Sequence, residues 1–279
     1  MHSLASKILL SIAILMAIFI LFLIFRVIPI DVENVIIERA NIPLAFNGFK
    51  IVQVSDLHVR TSTDKKAVIE AVKSVSPDII LITGDLVDHP NEIEGSPLGS
   101  ICRSFADICD VYAVTGNHEF GTNDISLWKN TLEKNGVKII DNDIVIIEKD
   151  GERLALMGLR DNTPYSCDIF PDIDKTVGAY KILLAHRPEL WKSYSSKSHA
   201  IRPDLVLSGH AHGGIVQIPK VGALYSPNQG FFPKYTYGLY SFESGTEMYV
   251  SRGLDDEKFP PRINNNMHLP VFTLYNTQQ

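Results

Sequence analysis

The chain has 279 residues, suited to one large domain plus an appendage. Its 26 Lys and Arg against 32 Asp and Glu give a net charge of -6, which disfavours a generic nucleic-acid binder, so no nucleic-acid partner is expected. Hydrophobic residues at 45% and charged residues at 21% fit a globular protein with a sizeable core.

Residues 8–25 are apolar apart from Ser11. A run of about 18 apolar residues is near the minimum for a membrane-spanning helix. It ends in Phe25-Arg26-Val27-Ile28-Pro29, without the small-residue pair of a cleaved signal peptide. Residues 1–30 therefore read as an uncleaved, single-pass membrane anchor. Lys7 and Arg26 on opposite flanks nearly cancel under the positive-inside rule. The short amino tail favours an inside amino terminus, with the rest of the chain extracytoplasmic. Residues 31–48 read as a linker and an edge strand, and residues 49–279 as the main domain.

Within that domain, 49–54 reads as a buried strand ending in Ser55-Asp56-Leu57-His58. Residues 64–75 have helical spacing, stopped by Ser76-Pro77. A second strand, 78–83, ends in Gly84-Asp85-Leu86-Val87-Asp88. A helix at 101–109 carries Cys102 and Cys109, two turns apart and too distant for a disulfide, so the thiols, with Cys167, read as structural. The strand 111–115 runs into Gly116-Asn117-His118-Glu119, and a helix at 125–134 closes at Asn135-Gly136. Strands follow at 139–140, 144–148, 153–158 and 181–185, the last ending at His186. After a short helix at 187–194, the strand 204–207 ends in Ser208-Gly209-His210-Ala211-His212, with later strands at 215–218, 247–251 and 271–275. The opening strand-helix-strand units indicate an α/β core, and ligands of such sheets gather beyond the carboxyl ends of the strands. Asp56, Asp85, Asn117, His186 and His210 all stand there.

Together with His58 and His212, these residues offer nitrogen and oxygen donors and no sulfur, a set suited to Mn, Fe, Zn, Co or Ni. Seven groups are too many for one tetrahedral ion and suit two divalent metal ions that share a bridging carboxylate. In extended backbone the pairs Asp56 and His58, and His210 and His212, each project from one face.

The ordered set Asp-x-His, Gly-Asp, Gly-Asn-His-Glu, His and Gly-His-x-His resembles the calcineurin-like metallophosphoesterase superfamily, over residues 49 to about 272. The resemblance implies two packed mixed β-sheets flanked by helices. It implies that Asp56, His58 and His212 bind one metal, that Asn117, His186 and His210 bind the other, and that Asp85 bridges them. His118 is then no ligand but an acid or charge stabiliser over the substrate. A phosphate ester is the implied substrate, attacked by a hydroxide bridging the ions. Phosphoprotein phosphatases carry arginines where this chain has His89, after Asp88, and Thr115, which argues against that substrate. The anchor, His210-Ala211-His212-Gly213-Gly214, Ser251-Arg252-Gly253 and Pro260-Pro261-Arg262 resemble the bacterial membrane-associated branch.

Phosphodiester hydrolysis is the expected activity. A lipid-directed pyrophosphatase of the UDP-diacylglucosamine hydrolase type is the alternative, and a non-catalytic scaffold a third reading. Two positions depart from the branch: Arg60 replaces a frequent glycine and Ile215 a common glutamine. Arg252 and Arg262 are candidates to meet a phosphate or lipid headgroup, or else to form salt bridges. The aromatic stretch of Phe231, Phe232, Tyr235, Tyr237 and Tyr240 reads as a hairpin on the core, with a lipid-contacting lip as the alternative. His2, His89, His199 and His268 read as surface or structural.

Overall fold

A computed structural model describes residues 4–25, 27–61, 65–88, 93–120, 125–196, 202–256 and 261–278; His2, His89 and His199 lie outside them. Helix α1 (Leu4–Phe25) comprises 22 residues. Among the described residues no helix is long and apolar enough to cross a membrane. Several side chains of α1, at 5, 19, 20 and 22–25, lie outside that description. The anchor expected there is thus not supported at this level.

In order there follow β1 (Ile30–Glu38), β2 (Lys50–Val54), α2 (Lys66–Val75), β3 (Ile79–Ile82), α3 (Leu98–Ala106), β4 (Asp110–Ala113), α4 (Asn117–Phe120), α5 (Ile125–Lys134) and β5 (Val137–Ile139). The second half holds β6 (Asp143–Lys149), β7 (Glu152–Gly158), β8 (Tyr180–Leu184), α6 (Trp191–Tyr194), β9 (Leu205–Ser208), β10 (Gln217–Ile218), β11 (Gly222–Ala223), β12 (Tyr225–Ser226), β13 (Gly230–Phe231), β14 (Gly238–Ser241), β15 (Glu247–Val250) and β16 (Met267–Tyr275).

Two six-stranded sheets result, in the orders β1-β16-β2-β3-β4-β5 and β14-β15-β9-β8-β7-β6. Both are mixed: β2, β3, β4 and β5 run parallel while β16 pairs antiparallel with β2, and β6 and β14 are antiparallel edges. Side chains alternate across a strand, so a strand covered on both faces is apolar throughout. In β3, Ile79 and Leu81 enter the core between the sheets, where they join Leu156, Ile182 and Leu207 of the second sheet. Ile80 and Ile82 point the other way, against Val72 of α2, Phe105 of α3 and Trp128 of α5. In β9, Val206 faces outward to a third cluster with Tyr194 and Met248. The expected architecture, two mixed sheets packed together and flanked by helices, is thus the observed one.

Several elements differ in extent from the sequence reading. The strand expected at 215–218 shrinks to Gln217–Ile218, because Ile215 turns at φ +56°, a conformation that a β-branched residue rarely adopts and that stops extension. The strand expected at 271–275 begins at Met267, where it pairs in parallel with β1 over nine residues. The aromatic stretch does not close on itself. Gly230–Phe231 pairs with β12, and Gly238–Ser241 forms the edge of the second sheet.

Candidate metal centre

Five strand ends converge. Asp56 and His58 follow β2, Asp85 follows β3, Asn117 and His118 follow β4, His186 follows β8, and His210 and His212 follow β9. The chain turns sharply at each end. Asp56, His58, Asp85, His210 and His212 all have positive φ, between +45° and +63°. Non-glycine residues are uncommon in that region, and such strain gathers at sites where neighbouring structure over-determines it. The loops also touch: a Cβ on Gly116 would lie 2.1 Å from Asp85 Oδ1, so only glycine lets the two loops meet.

Asp56, His58 and His212 form one group whose potential ligand atoms lie within 4.8 Å of one another, and Asp85, His186 and His210 form a second. The second group shows a clear conflict of hydrogens. His186 Nδ1 lies 2.8 Å from the Thr83 carbonyl, an obligate acceptor, so Nδ1 carries the proton. Nε2 then presents its lone pair to Asp85 Oδ2 at 3.1 Å, Asn117 Oδ1 at 3.1 Å and His210 Nδ1 at 3.2 Å. A single extra proton on Nε2 serves one of these neighbours; a cation among them serves all. Asn228 approaches His210 Nε2 from outside at 3.1 Å. Its Nδ2 also donates to Glu189 Oε1 at 3.2 Å, which holds the amide against the outer edge of the His210 ring. In the first group, His58 Nδ1 meets Asp88 Oδ1 at 3.2 Å, whereas Nε2 is buried without a hydrogen-bond partner.

The electrostatics show the same need for positive charge. Burial opposes the charge of Asp85, but His186, His58 and His118 outweigh it and hold the carboxyl below its usual range. Burial also opposes protonation of His186, and Asp85 and Asp56 overcome that, raising it to about 10. Burial, then the neighbouring His58 and Arg262, push His212 well below 6.5. Burial raises Asp56, with Asp85 adding to the rise.

His118 is placed differently. Its backbone N–H donates to Asp85 Oδ1 at 2.9 Å, and its ring Nδ1 lies 2.6 Å from the Asp88 carbonyl. The His58 and His118 rings meet edge to face at 4.7 Å. All eight candidate residues are therefore linked by direct contacts around one centre.

Five further residues belong to this neighbourhood. Asp88 grips His58 by its carboxylate and His118 by its carbonyl, while Arg60 donates to it at 2.8 Å. Glu119 is fully buried and accepts four backbone N–H groups, from Asp85, Leu86, Val87 and Gly116, stapling two ligand loops. Asn228 and Arg262 come from the long segment between β12 and β16. Arg252, in contrast, pairs with Asp31 at 2.8 Å and covers the Tyr237 ring, a structural contact. His268 is fully buried against Glu33. Phe231, Phe232 and Tyr237 are exposed, while Tyr235 is buried.

Comparison with known proteins finds that a family model described as calcineurin-like phosphoesterase matches residues 49–214. The uncharacterized metallophosphoesterase YkuE of Bacillus subtilis (strain 168) is 32% identical, over 86% of this chain and 84% of its own length. The phosphodiesterase YaeI of Escherichia coli (strain K12) is 27% identical, over 74% of this chain and 75% of its own. A transmembrane protein with metallophosphoesterase domain from Bos taurus is 29% identical over 88% of this chain, which spans 57% of that relative.

Proposed function

The chain belongs to the calcineurin-like phosphoesterase family, and from that premise we propose that it is a phosphodiesterase working with two divalent metal ions. At the coarser level it is a hydrolase acting on phosphoric ester bonds. The observation that carries the dinuclear reading is the pair of oxygens, Asp85 Oδ2 and Asn117 Oδ1, that face the His186 Nε2 lone pair, together with the unmatched His58 Nε2. Asp56, His58 and His212 would hold one ion and Asn117, His186 and His210 the other, with Asp85 between them. The nitrogen and oxygen donors suit Mn, Fe, Zn, Co or Ni. When bound, such ions supply positive charge for phosphoryl oxygens and lower the pKa of water from 15.7 towards 7.

The chain's own residues supply the rest. Asp88 and Asp85 pin His118 so that Nε2 faces the centre, and from that atom the imidazolium gives a proton to the leaving oxygen. Glu119 holds the two loops in register while this happens. Metal analysis of the purified full-length chain is expected to find about two ions, and Asp85→Ala to lose both, together with hydrolysis of an aryl phosphodiester. Undiminished turnover in metal-stripped protein would refute the reading.

A second reading places the ester in a lipid. The ribbon β12–β13 carries Pro227 and Asn228 at the centre and exposes Tyr225, Phe231 and Phe232. Exposed aromatics of this kind suit a membrane–water interface. Helix α1 would anchor the chain there, with the catalytic domain extracytoplasmic. Comparing a vesicle-embedded with a soluble ester separates the two readings.

A further inference from the structure

We infer that Arg262 forms an anion subsite beside the metal centre and takes a phosphoryl oxygen of the substrate, an inference that rests on the hydrolase reading and deepens it. Arg262 lies beyond the matched residues 49–214, in the segment leading to β16. It is 3% exposed. Nη1 donates to the Arg252 carbonyl at 2.9 Å, but Nε and Nη2 are buried without hydrogen-bond partners. Guanidinium carries five donors in a fixed fork, and interior donors are nearly always matched. Two unmatched nitrogens on one buried arginine therefore mark a place for an acceptor.

The surroundings say where that acceptor comes from. Arg262 lines a cavity of about 160 Å³ with His58, His118 and His212. At roughly 30 Å³ per water this holds about five waters. A phosphoryl group fits there. Of the two carboxylates of the wall, Asp88 is engaged elsewhere, and Asp255 favours the Arg262 charge without forming an ion pair to it. Asp88 is held by Arg60 and His58, and Asp255 approaches His212 Nδ1 at 4.0 Å. Among the described residues no carboxylate forms an ion pair with Arg262. Its Nε and Nη2 are thus available to a ligand, and the planar fork matches phosphate oxygens. His118, the proton donor, opens on the same cavity. The oxygen bound by Arg262 therefore belongs either to the phosphoryl under attack or to a second phosphoryl joined to it.

The test is calorimetric titration of the full-length, metal-loaded chain with inorganic phosphate, in wild type, Arg262→Met and Arg262→Lys. Hydrogen bonds to charged groups of this kind lead us to expect about 10- to 100-fold weaker phosphate binding in Arg262→Met, with metal content unchanged. Arg262→Lys, which keeps the charge without the fork, is expected to fall between. It also decides the matter if Arg262→Met does not fold, since affinity equal to wild type in Arg262→Lys would then overturn the subsite. Unchanged phosphate affinity in a folded Arg262→Met overturns it directly.

Two substrates separate the sources. A KM raised on both an aryl phosphodiester and an aryl pyrophosphate diester assigns Arg262 to the phosphoryl under attack. A rise confined to the pyrophosphate assigns it to the neighbouring one. If the wild type binds its metals but hydrolyses neither ester, the enzyme reading fails, while the phosphate titration still judges Arg262.

Discussion

His118 is held at two places, its ring Nδ1 by the Asp88 carbonyl and its backbone N–H by Asp85 Oδ1. Nε2 lies 3.9 Å from Asp85 Oδ2, and the ring is one-third exposed, open to a substrate. His118→Ala is expected to slow aryl phosphodiester turnover by about 10²–10⁴-fold, the usual worth of a positioned acid. Steady-state kinetics with parallel metal analysis checks this: the ions should remain, and an unchanged rate would remove His118 from the chemistry. The eight candidate residues were legible in the sequence because each stands on or beside the end of an apolar run. Their neighbours were less so. Asp88 sits in the Gly84–Asp88 run, but its double grip depends on a loop path that no spacing encodes. Glu119 reads as the polar end of a turn, whereas it is buried under four N–H groups. Burial and Asp85 raise its pKa to about 7 against those donors.

At the level of elements, the seam between β1 and β16 was the part least visible in the sequence. His268 and Pro270 interrupt the apolar pattern of β16, so only 271–275 reads as a strand. The interruption has a physical reason. His268 accepts the Arg252 N–H at Nδ1 and gives its Nε2–H to Glu33 of β1 at 2.8 Å, which requires the neutral ring. Burial, then the charge of Arg252, lower its pKa from 6.5 to about 4. The unfolded chain takes up this proton near pH 6.5 and the folded chain resists it until about pH 4. The stabilising contribution is therefore complete above about pH 6.5 and is lost as pH falls towards 4, by at most about 3 kcal/mol. Denaturant unfolding at pH 7 and pH 5 should show this loss in wild type. His268→Gln should be less stable at pH 7 yet lose less on acidification. An identical loss in both proteins would exclude His268 as its source.

For the whole molecule, the two sheets share one interior, and residues ahead of the matched span help to fill it. Ile37, Ile42 and Phe46 are fully buried in the inter-sheet cluster. At about 1.5–3 kcal/mol for each buried side chain, their loss approaches the 5–15 kcal/mol by which domains are usually stable. Removing β1 would also bare the backbone of β16 along nine residues, an unprotected edge. A chain starting at Ile30 is accordingly expected to fold and bind metal, whereas one starting at Phe49 should aggregate or melt far lower. Circular dichroism melting and metal content check this, and a stable chain from Phe49 would show that 31–48 is only a linker. The chain from Ile30 also tests the role of α1. On the proposed anchoring role of α1, it should match the full-length protein on a soluble ester and fall behind on an ester embedded in vesicles. Equal rates on both substrates would leave α1 no part in delivering the site to lipid.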